Sequence, residues 1–208
     1  CPQCGQWNTF KELKLSRKKG APSEITVLRP QKVTTSKLER FSVGLKEVDR
    51  VLGGGMVQGT VVILGGDPGV GKSTLALQLC RKVPALYISG EENIYQISER
   101  ARRLRAQEVK ILTTNSLSQV LQAIEQAKGI KLATVDSLQT IADEEIDSSA
   151  GSVSQVKAVT FKLVELAKRK KVSLILIGHV TKTGEVAGPK TVEHMVDVVL
   201  YLEGERYG

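Results

Sequence analysis

The chain has little cysteine, few aromatic residues and no long apolar run. Three cysteines are spread over 208 residues, and two of them form a C-x-x-C pair. That number cannot build a disulfide scaffold, so a reducing compartment is the simpler expectation. No apolar stretch is long enough to cross a bilayer, and a membrane partner is not expected. No charged-then-apolar leader opens the sequence, so no signal peptide is expected either. The sequence starts at Cys1 rather than Met and stops at Gly208 soon after an apolar run. Both ends look cut, and the expectation is a piece of a longer protein.

What is present fits one α/β domain with a modest appendage. The net charge of +8 favours acidic partners such as nucleic acid, although many soluble domains are basic.

The decisive stretch is Gly66-Asp67-Pro68-Gly69-Val70-Gly71-Lys72-Ser73-Thr74, which reads G-x-x-x-x-G-K-S. Its glycines let the backbone turn so that successive N–H groups point at phosphate oxygens. Lys72 adds a point charge on the β- and γ-phosphates, and the Ser73 hydroxyl is placed to ligate Mg²⁺. The following helix, roughly 71–82, turns its positive end toward the same anion. The run 60–65 before the loop reads as a buried strand, and 74–80 after it as a helix with an apolar face. Strand, loop and helix in that order are what the motif requires. Nucleotide, with Mg²⁺, is therefore the expected ligand.

The rest of the chain divides around this loop. Residues 1–10, with Cys1, Cys4 and Gly5, read as half of a zinc ribbon whose other ligand pair would lie upstream. A redox C-x-x-C is the weaker choice, because no strand precedes it and Pro and Gly surround it. Residues 11–40 are polar and basic and read as a linker. Residues 41–208 read as the main domain. Leu45, Val48 and Leu52 fit one face of a short helix ended by three glycines.

The strand 85–89 runs into Glu91 and Glu92 at the edge where open parallel sheets bind ligands. Glu91 is the candidate to orient and deprotonate an attacking water, with Glu92 as the rival; acids also suit a helix N-terminal turn. Helices follow at 94–107 and 116–128, with a short strand at 109–112 between them. The apolar strand 130–137 ends in Asp136, which would hold the Mg²⁺ shell together with Ser73. Residues 139–155 carry little apolar periodicity and read as a mobile functional loop. A long helix is expected over 153–171, and its basic end, 168–171, suits the helix dipole. A central strand at 172–177 delivers His179 and Lys182 to the ligand edge; either may be read as a phosphate-sensing group or as a solvated loop residue. Residues 183–189 form a second glycine-containing loop, and 196–202 a last strand with Asp197 toward an exposed edge. Cys80, among Leu77, Leu79 and Val83, reads as a buried apolar thiol.

Strands alternating with helices after a phosphate loop imply a doubly wound, mainly parallel α/β sheet. Glu91 after the second strand and Asp136 after a later one resemble the RecA-like core of P-loop NTPases. The stretches 1–9, 52–55, 65–73, 87–92, 136–140, 151–155, 178–182, 187–189 and 193–197 together resemble the bacterial RadA (Sms) family of DNA repair and recombination ATPases. This resemblance implies an ATP- and Mg²⁺-dependent, cytoplasmic or organellar motor. It would form a homo-hexameric ring, act on single-stranded and branched DNA beside a recombinase, and promote branch migration. Zn²⁺ would belong to the full-length protein. The resemblance makes Glu91 the catalytic carboxylate, assisted by Lys72, and His179 the sensor. It makes 141–155 and 183–189 the DNA-facing loops, with Ser152, Gln155, Lys182 and Lys190 as contacts. Those loops hold few aromatics, so base stacking would add little to phosphate contacts. The upstream cysteine pair, a Lys-Asn-Arg-Phe-Gly motif and a Lon-protease-like C-terminal domain of that family have no counterpart in this sequence. A RecA-fold signalling ATPase acting on protein, or a nucleotide switch that does not hydrolyse, are the alternatives.

Overall fold

The computed structural model describes residues 40–179 and 188–204. In chain order the elements are β1 (Arg40–Phe41), α1 (Lys46–Val51), β2 (Met56–Val57), β3 (Val61–Gly66), α2 (Lys72–Cys80), β4 (Ala85–Ser89) and α3 (Ile94–Arg103). They continue with β5 (Lys110–Thr113), α4 (Leu117–Gln126), β6 (Leu132–Asp136), α5 (Val153–Lys170), β7 (Ser173–His179) and β8 (Val198–Leu202). Two 3-10 turns, Pro189–Thr191 and Glu193–Met195, lead into β8.

The apolar runs that sequence marked as strands form one six-stranded sheet in the order β5-β4-β6-β7-β3-β8. Every pairing in it is parallel. Parallel strands need crossover helices, and the helices cover both faces of the sheet. The two faces of β3 show the consequence. Val61 and Ile63 join a core with Leu117, Val120 and Ile124 of α4 and Val156, Val159 and Leu163 of α5. Val62 and Leu64 join the opposite core with Ala76, Leu77 and Cys80 of α2 and Ile97 and Ala101 of α3. Each fully buried aliphatic side chain contributes about 1.5–3 kcal/mol, so continuous apolar runs are needed in all the central strands.

Because the sheet is parallel, all strand C-termini lie on one edge and all N-termini on the other. The crossover helices therefore start on the first edge and end on the second. Register fixes the levels: Gly66 of β3 lies beside His179 of β7, and Ser89 of β4 beside Asp136 of β6. Four adjacent strands, β4-β6-β7-β3, thus deliver Glu91, Asp136, His179 and the phosphate loop to one edge within about 15 Å, given a strand spacing of about 4.8 Å.

Two local features depart from the sequence reading. β1 and β2 pair antiparallel, and Arg40 donates to the carbonyls of Leu52 (2.8 Å) and Gly55 (2.9 Å) across the glycine turn. The segment after Asp136 is not a free loop. Leu138 and Ile141 are buried, and Leu138 N–H donates to Ile177 O at 2.9 Å. The Gln155 amide closes the segment by donating to the carbonyls of Asp143, Ile146 and Ser148 and accepting from Asp143 N–H at 2.9 Å.

Candidate functional site: a phosphate loop facing a carboxylate cluster

The phosphate loop follows from its backbone angles. Gly69 and Gly71 have φ of 80° and 106°, values that L side chains rarely adopt. Gly66 is required for a different reason: a Cβ there would come 2.4 Å from the carbonyl oxygen of Leu202 on the neighbouring strand. Gly71 is the N-cap of α2 and gives it no capping side chain. By contrast α3, α4 and α5 are capped by Asn93, Ser116 and Ser152. The free N–H groups and positive end of α2 therefore face the concavity of the loop, the arrangement that binds phosphate. Asp67, Pro68 and Gly69 are exposed, Val70, Ser73 and Thr74 are half-buried, and Lys72 is buried. Lys72 Nζ donates to the carbonyls of Gly66 and Asp67, both at 2.9 Å. Burial pulls its pKa below the ordinary lysine value, while Asp136, Glu91 and Asp67 act in the opposite sense.

Asp136 ends β6 and is buried. The Tyr87 hydroxyl, from the adjacent β4, donates to its Oδ2. Burial raises the Asp136 pKa, against hydrogen bonding from Tyr87 and Ser73. Ser73 is thus close enough to act on the carboxylate, but no bond of good geometry reaches Oδ1, which is buried without a hydrogen-bond partner. A buried carboxylate oxygen left open beside a P-loop hydroxyl fits the hard, oxygen-seeking Mg²⁺ ion.

Glu91 and His179 come together although 88 residues separate them. One carboxylate oxygen, Oε1, contacts His179 Nε2 at 2.9 Å and accepts from the Ser137 hydroxyl. These contacts hold the Glu91 carboxyl below the usual glutamate range; the His179 bond contributes most, burial opposes it, and Ser137 and Lys72 add to it. Glu92 is engaged elsewhere, in an ion pair with Arg100 of α3. Backbone N–H groups of both glutamates donate to Ser89 Oγ at 3.3 and 3.1 Å, which sets the turn. Gly90 is packed so closely that a Cβ would meet Thr140 Oγ1 at 2.4 Å.

This is the edge where a family assignment can be made. The family model described as "AAA domain" matches residues 28–185. The chain belongs to this AAA domain family. It is also similar over its whole length to the DNA repair protein RadA of Pseudomonas aeruginosa, at 42% identity over 221 residues and 49% of that protein. The same protein of Aquifex aeolicus is 43% identical and covered to 48%, and that of Bacillus subtilis 42% identical and covered to 48%. The chain thus spans about half the length of the curated relatives it matches, and the resemblance to the RadA family read from sequence motifs stands. Among solved structures, a KaiC-like protein from Pyrococcus horikoshii OT3 superposes with a TM-score of 0.62 at 22% identity. That superposition covers 82% of this chain and 84% of the other. It supports the RecA-like P-loop fold.

Several sequence-based expectations need correction or fall elsewhere. Gln155 is buried in the first turn of α5 with both amide atoms bonded internally, so it cannot face DNA in this structure. Ser152 serves as the cap of α5, accepting from Gln155 N–H at 3.3 Å. Lys190 is exposed in the first 3-10 turn. Lys182, Cys1 and Cys4 lie outside the described residues. Among the described residues, no cluster of three or more His, Cys, Asp or Glu is arranged to hold a metal, and no helix is long and apolar enough to cross a membrane. Sequence reasoning missed Ser137 and Tyr87 as functional neighbours. A signal existed for Tyr87, because a phenol inside a buried strand needs a partner for its hydroxyl.

Proposed function

We propose that this chain is the ATP-hydrolysing core of a DNA repair motor that acts on single-stranded and branched DNA. The observation that carries the hydrolytic part is Glu91 Oε1, held between Ser137 Oγ and His179 Nε2 opposite the uncapped start of α2. The N–H groups of the loop and Lys72 bind the β- and γ-phosphates. Ser73 and Asp136 would hold Mg²⁺, which when bound would supply neutralisation of the charge developing on the phosphates. Glu91, ionised at neutral pH, orients the attacking water and takes its proton. His179 is placed to report the γ-phosphate to β7. Glu92, already paired with Arg100, is the lesser candidate for the base.

The motor part rests on the relatives. We assign the loop 183–189, with Lys182 and Lys190 flanking it, to the strand-facing side. The exposed residues of 144–150 belong there as well, and Ser152 and Gln155 shape this surface from behind. We further propose a hexameric ring, branch migration beside a recombinase, and Zn²⁺ at Cys1 and Cys4 completed by residues outside this chain. In this scheme 1–10, 11–40 and 41–208 are knuckle, linker and motor. The deciding experiment is the ATP hydrolysis rate of the intact protein with and without single-stranded DNA, with Lys72→Ala as the blank. Stimulation by DNA is expected. Turnover that ignores DNA would move the assignment to an ATPase acting on protein, and absence of turnover above the blank would leave a nucleotide switch.

A further inference from the structure

The sheet edge opposite the phosphate loop carries a concentration of cations that the nucleotide chemistry does not use. Four crossover helices end there, and each end or the turn after it is basic: Arg81 and Lys82 after α2, Arg102, Arg103 and Arg105 around the end of α3, Lys128 after α4, and 168–171 at the end of α5. Cations at helix C-termini favour the dipole, which accounts for those inside the last turns. It does not account for Lys110 and Lys131, which stand at the starts of β5 and β6. Lys131 is fixed between neighbouring strands, its N–H donating to Pro84 O at 2.9 Å and its carbonyl accepting from Ser173 N–H at 3.0 Å. Lys110, Lys131 and Lys171 therefore lie along the row β5-β4-β6-β7, which spans about 15 Å.

The acids on this edge are few and partly committed. Glu99 pairs with Arg102, Glu125 with Arg169 and Lys170, and Asp197 lies 3.8 Å from Lys168. Lys82, Arg105, Lys110, Lys128, Lys131 and Lys171 are all exposed, and none makes an ion pair among the described residues. A cleft between the ends of α2 and α3 is lined by Arg81, Lys82, Arg105 and Glu108 over an apolar floor of Val83, Ala106 and Val109. Four of the large exposed apolar side chains of the described residues belong to the opposite edge: Ile94 and Tyr95 at the start of α3, Val153 at the start of α5 and Tyr201 at the end of β8; Phe161 lies midway along α5, and Val51 on α1.

We propose that this N-terminal edge of the sheet is a second polyanion-binding surface, fitted to the phosphate backbone of a nucleic acid and separate from the strand-facing loops assigned above. A row of unpaired cations with no exposed aromatic among them can neutralise phosphates but cannot stack bases. Binding there is therefore indifferent to base sequence and strongly dependent on salt. The row is long enough to meet several successive phosphates of one strand, which a single free anion could not exploit.

The test uses the intact protein and a fluorescein-labelled single-stranded oligonucleotide, read by anisotropy between 50 and 200 mM salt. The probe variant replaces Lys82, Lys110, Lys131 and Lys171 with Ala; a second replaces the same four with Arg. The alanine variant should bind about tenfold or more weakly at low salt, and the slope of log affinity on log salt should fall by about 2–3, since each lost single-strand contact removes about 0.7. The arginine variant should bind like the parent. Both should keep the circular dichroism and the DNA-free ATP hydrolysis of the parent, since none of the four residues lies at the phosphate loop. Unchanged affinity and slope in the alanine variant would overturn the proposal. So would displacement of the labelled oligonucleotide by polyglutamate at a lower charge concentration than unlabelled oligonucleotide requires, which would give the face to an acidic protein. Lys190→Ala run in parallel reports the strand-facing loops alone. If DNA fails to stimulate hydrolysis while the four-lysine variant still loses affinity, the motor reading fails and this surface stands.

Discussion

The two edges of the central sheet are built from the same strands and behave as opposites. The C-terminal edge gathers carboxylates, buries Asp136 and Lys72, and holds Lys72, Glu91 and Asp136 by hydrogen bonds to fixed partners. The N-terminal edge gathers lysines and arginines that are exposed and largely unpaired. On the first edge, charge is held in a desolvated, fixed geometry, where electrostatic interactions are strong. On the second it is exposed and screened, so it can act only in numbers. Chemistry belongs to the first kind of site and polyanion capture to the second. The parallel topology produces this division, because it sends loops bearing side chains to one edge and helix C-termini to the other.

The sharpest way to break the comparison is to remove a charge from each edge and follow hydrolysis. Glu91→Gln should retain ATP binding and lose on the order of 10²–10⁴ in turnover, the usual scale for a general base. Lys72→Ala should lose on the order of 10²–10³, through lost phosphate stabilisation, and bind nucleotide more weakly. If Glu92→Gln is the inactive variant and Glu91→Gln turns over normally, the base has been misassigned. Equal losses from Lys131→Ala would dissolve the distinction between the edges.

pH should separate the edges next. The folded-state pKa of Glu91 lies below its unfolded value, so its ionised form stabilises the fold above the ordinary glutamate range. That contribution is lost as pH falls through the folded value. The acid limb of turnover therefore lies below the usual glutamate range. Ser137→Ala removes one of the two bonds to Oε1 and should move that limb upward, measured as turnover against pH. Asp136 has the reverse sign. Its raised pKa means the ionised form costs stability, an effect present above its unfolded pKa and relieved as pH falls through the folded one. Asp136→Asn should consequently raise the melting temperature, by roughly 2–4 °C for each kcal/mol recovered, while turnover falls. A lower melting temperature would mean that the Tyr87 bond depends on the negative charge.

Much of this contrast could be read from the sequence. Buried parallel strands announce themselves as continuous apolar runs, and β4 and the helix α5 fall within a residue of the expected bounds. The phosphate loop is legible because only glycine tolerates its backbone angles. The convergence of Glu91, Ser137 and His179 was not legible from spacing. It depends on strand order, since β4, β6 and β7 are neighbours only through crossovers. Residues 139–155 read as a mobile loop because single buried residues, Leu138 and Ile141, leave no periodic trace. Its organiser, Gln155, is polar and so looks like a surface residue. Gln155→Ala would leave the carbonyls of Asp143, Ile146 and Ser148 without their donor and should cost about 1–3 kcal/mol in urea denaturation. An unchanged midpoint would return the segment to the status of a free loop.

The smallest effect distinguishes the edges by salt alone. Lys131 sits among like charges and has no ion pair among the described residues, so its own charge is mildly destabilising. Lys131→Gln should therefore raise stability by roughly 0.2–0.5 kcal/mol at low ionic strength, the scale of an exposed charge interaction. The gain should vanish near 1 M salt, where screening acts within about 3 Å. Paired denaturant titrations at the two salt concentrations read this directly. Site variants on the catalytic edge, Asp136→Asn among them, should show stability shifts that survive high salt, because their charge interactions are buried. A salt-insensitive gain at Lys131 would mean that the lysine is strained or desolvated rather than repelled, and the N-terminal edge would then resemble the catalytic one more than its exposure suggests.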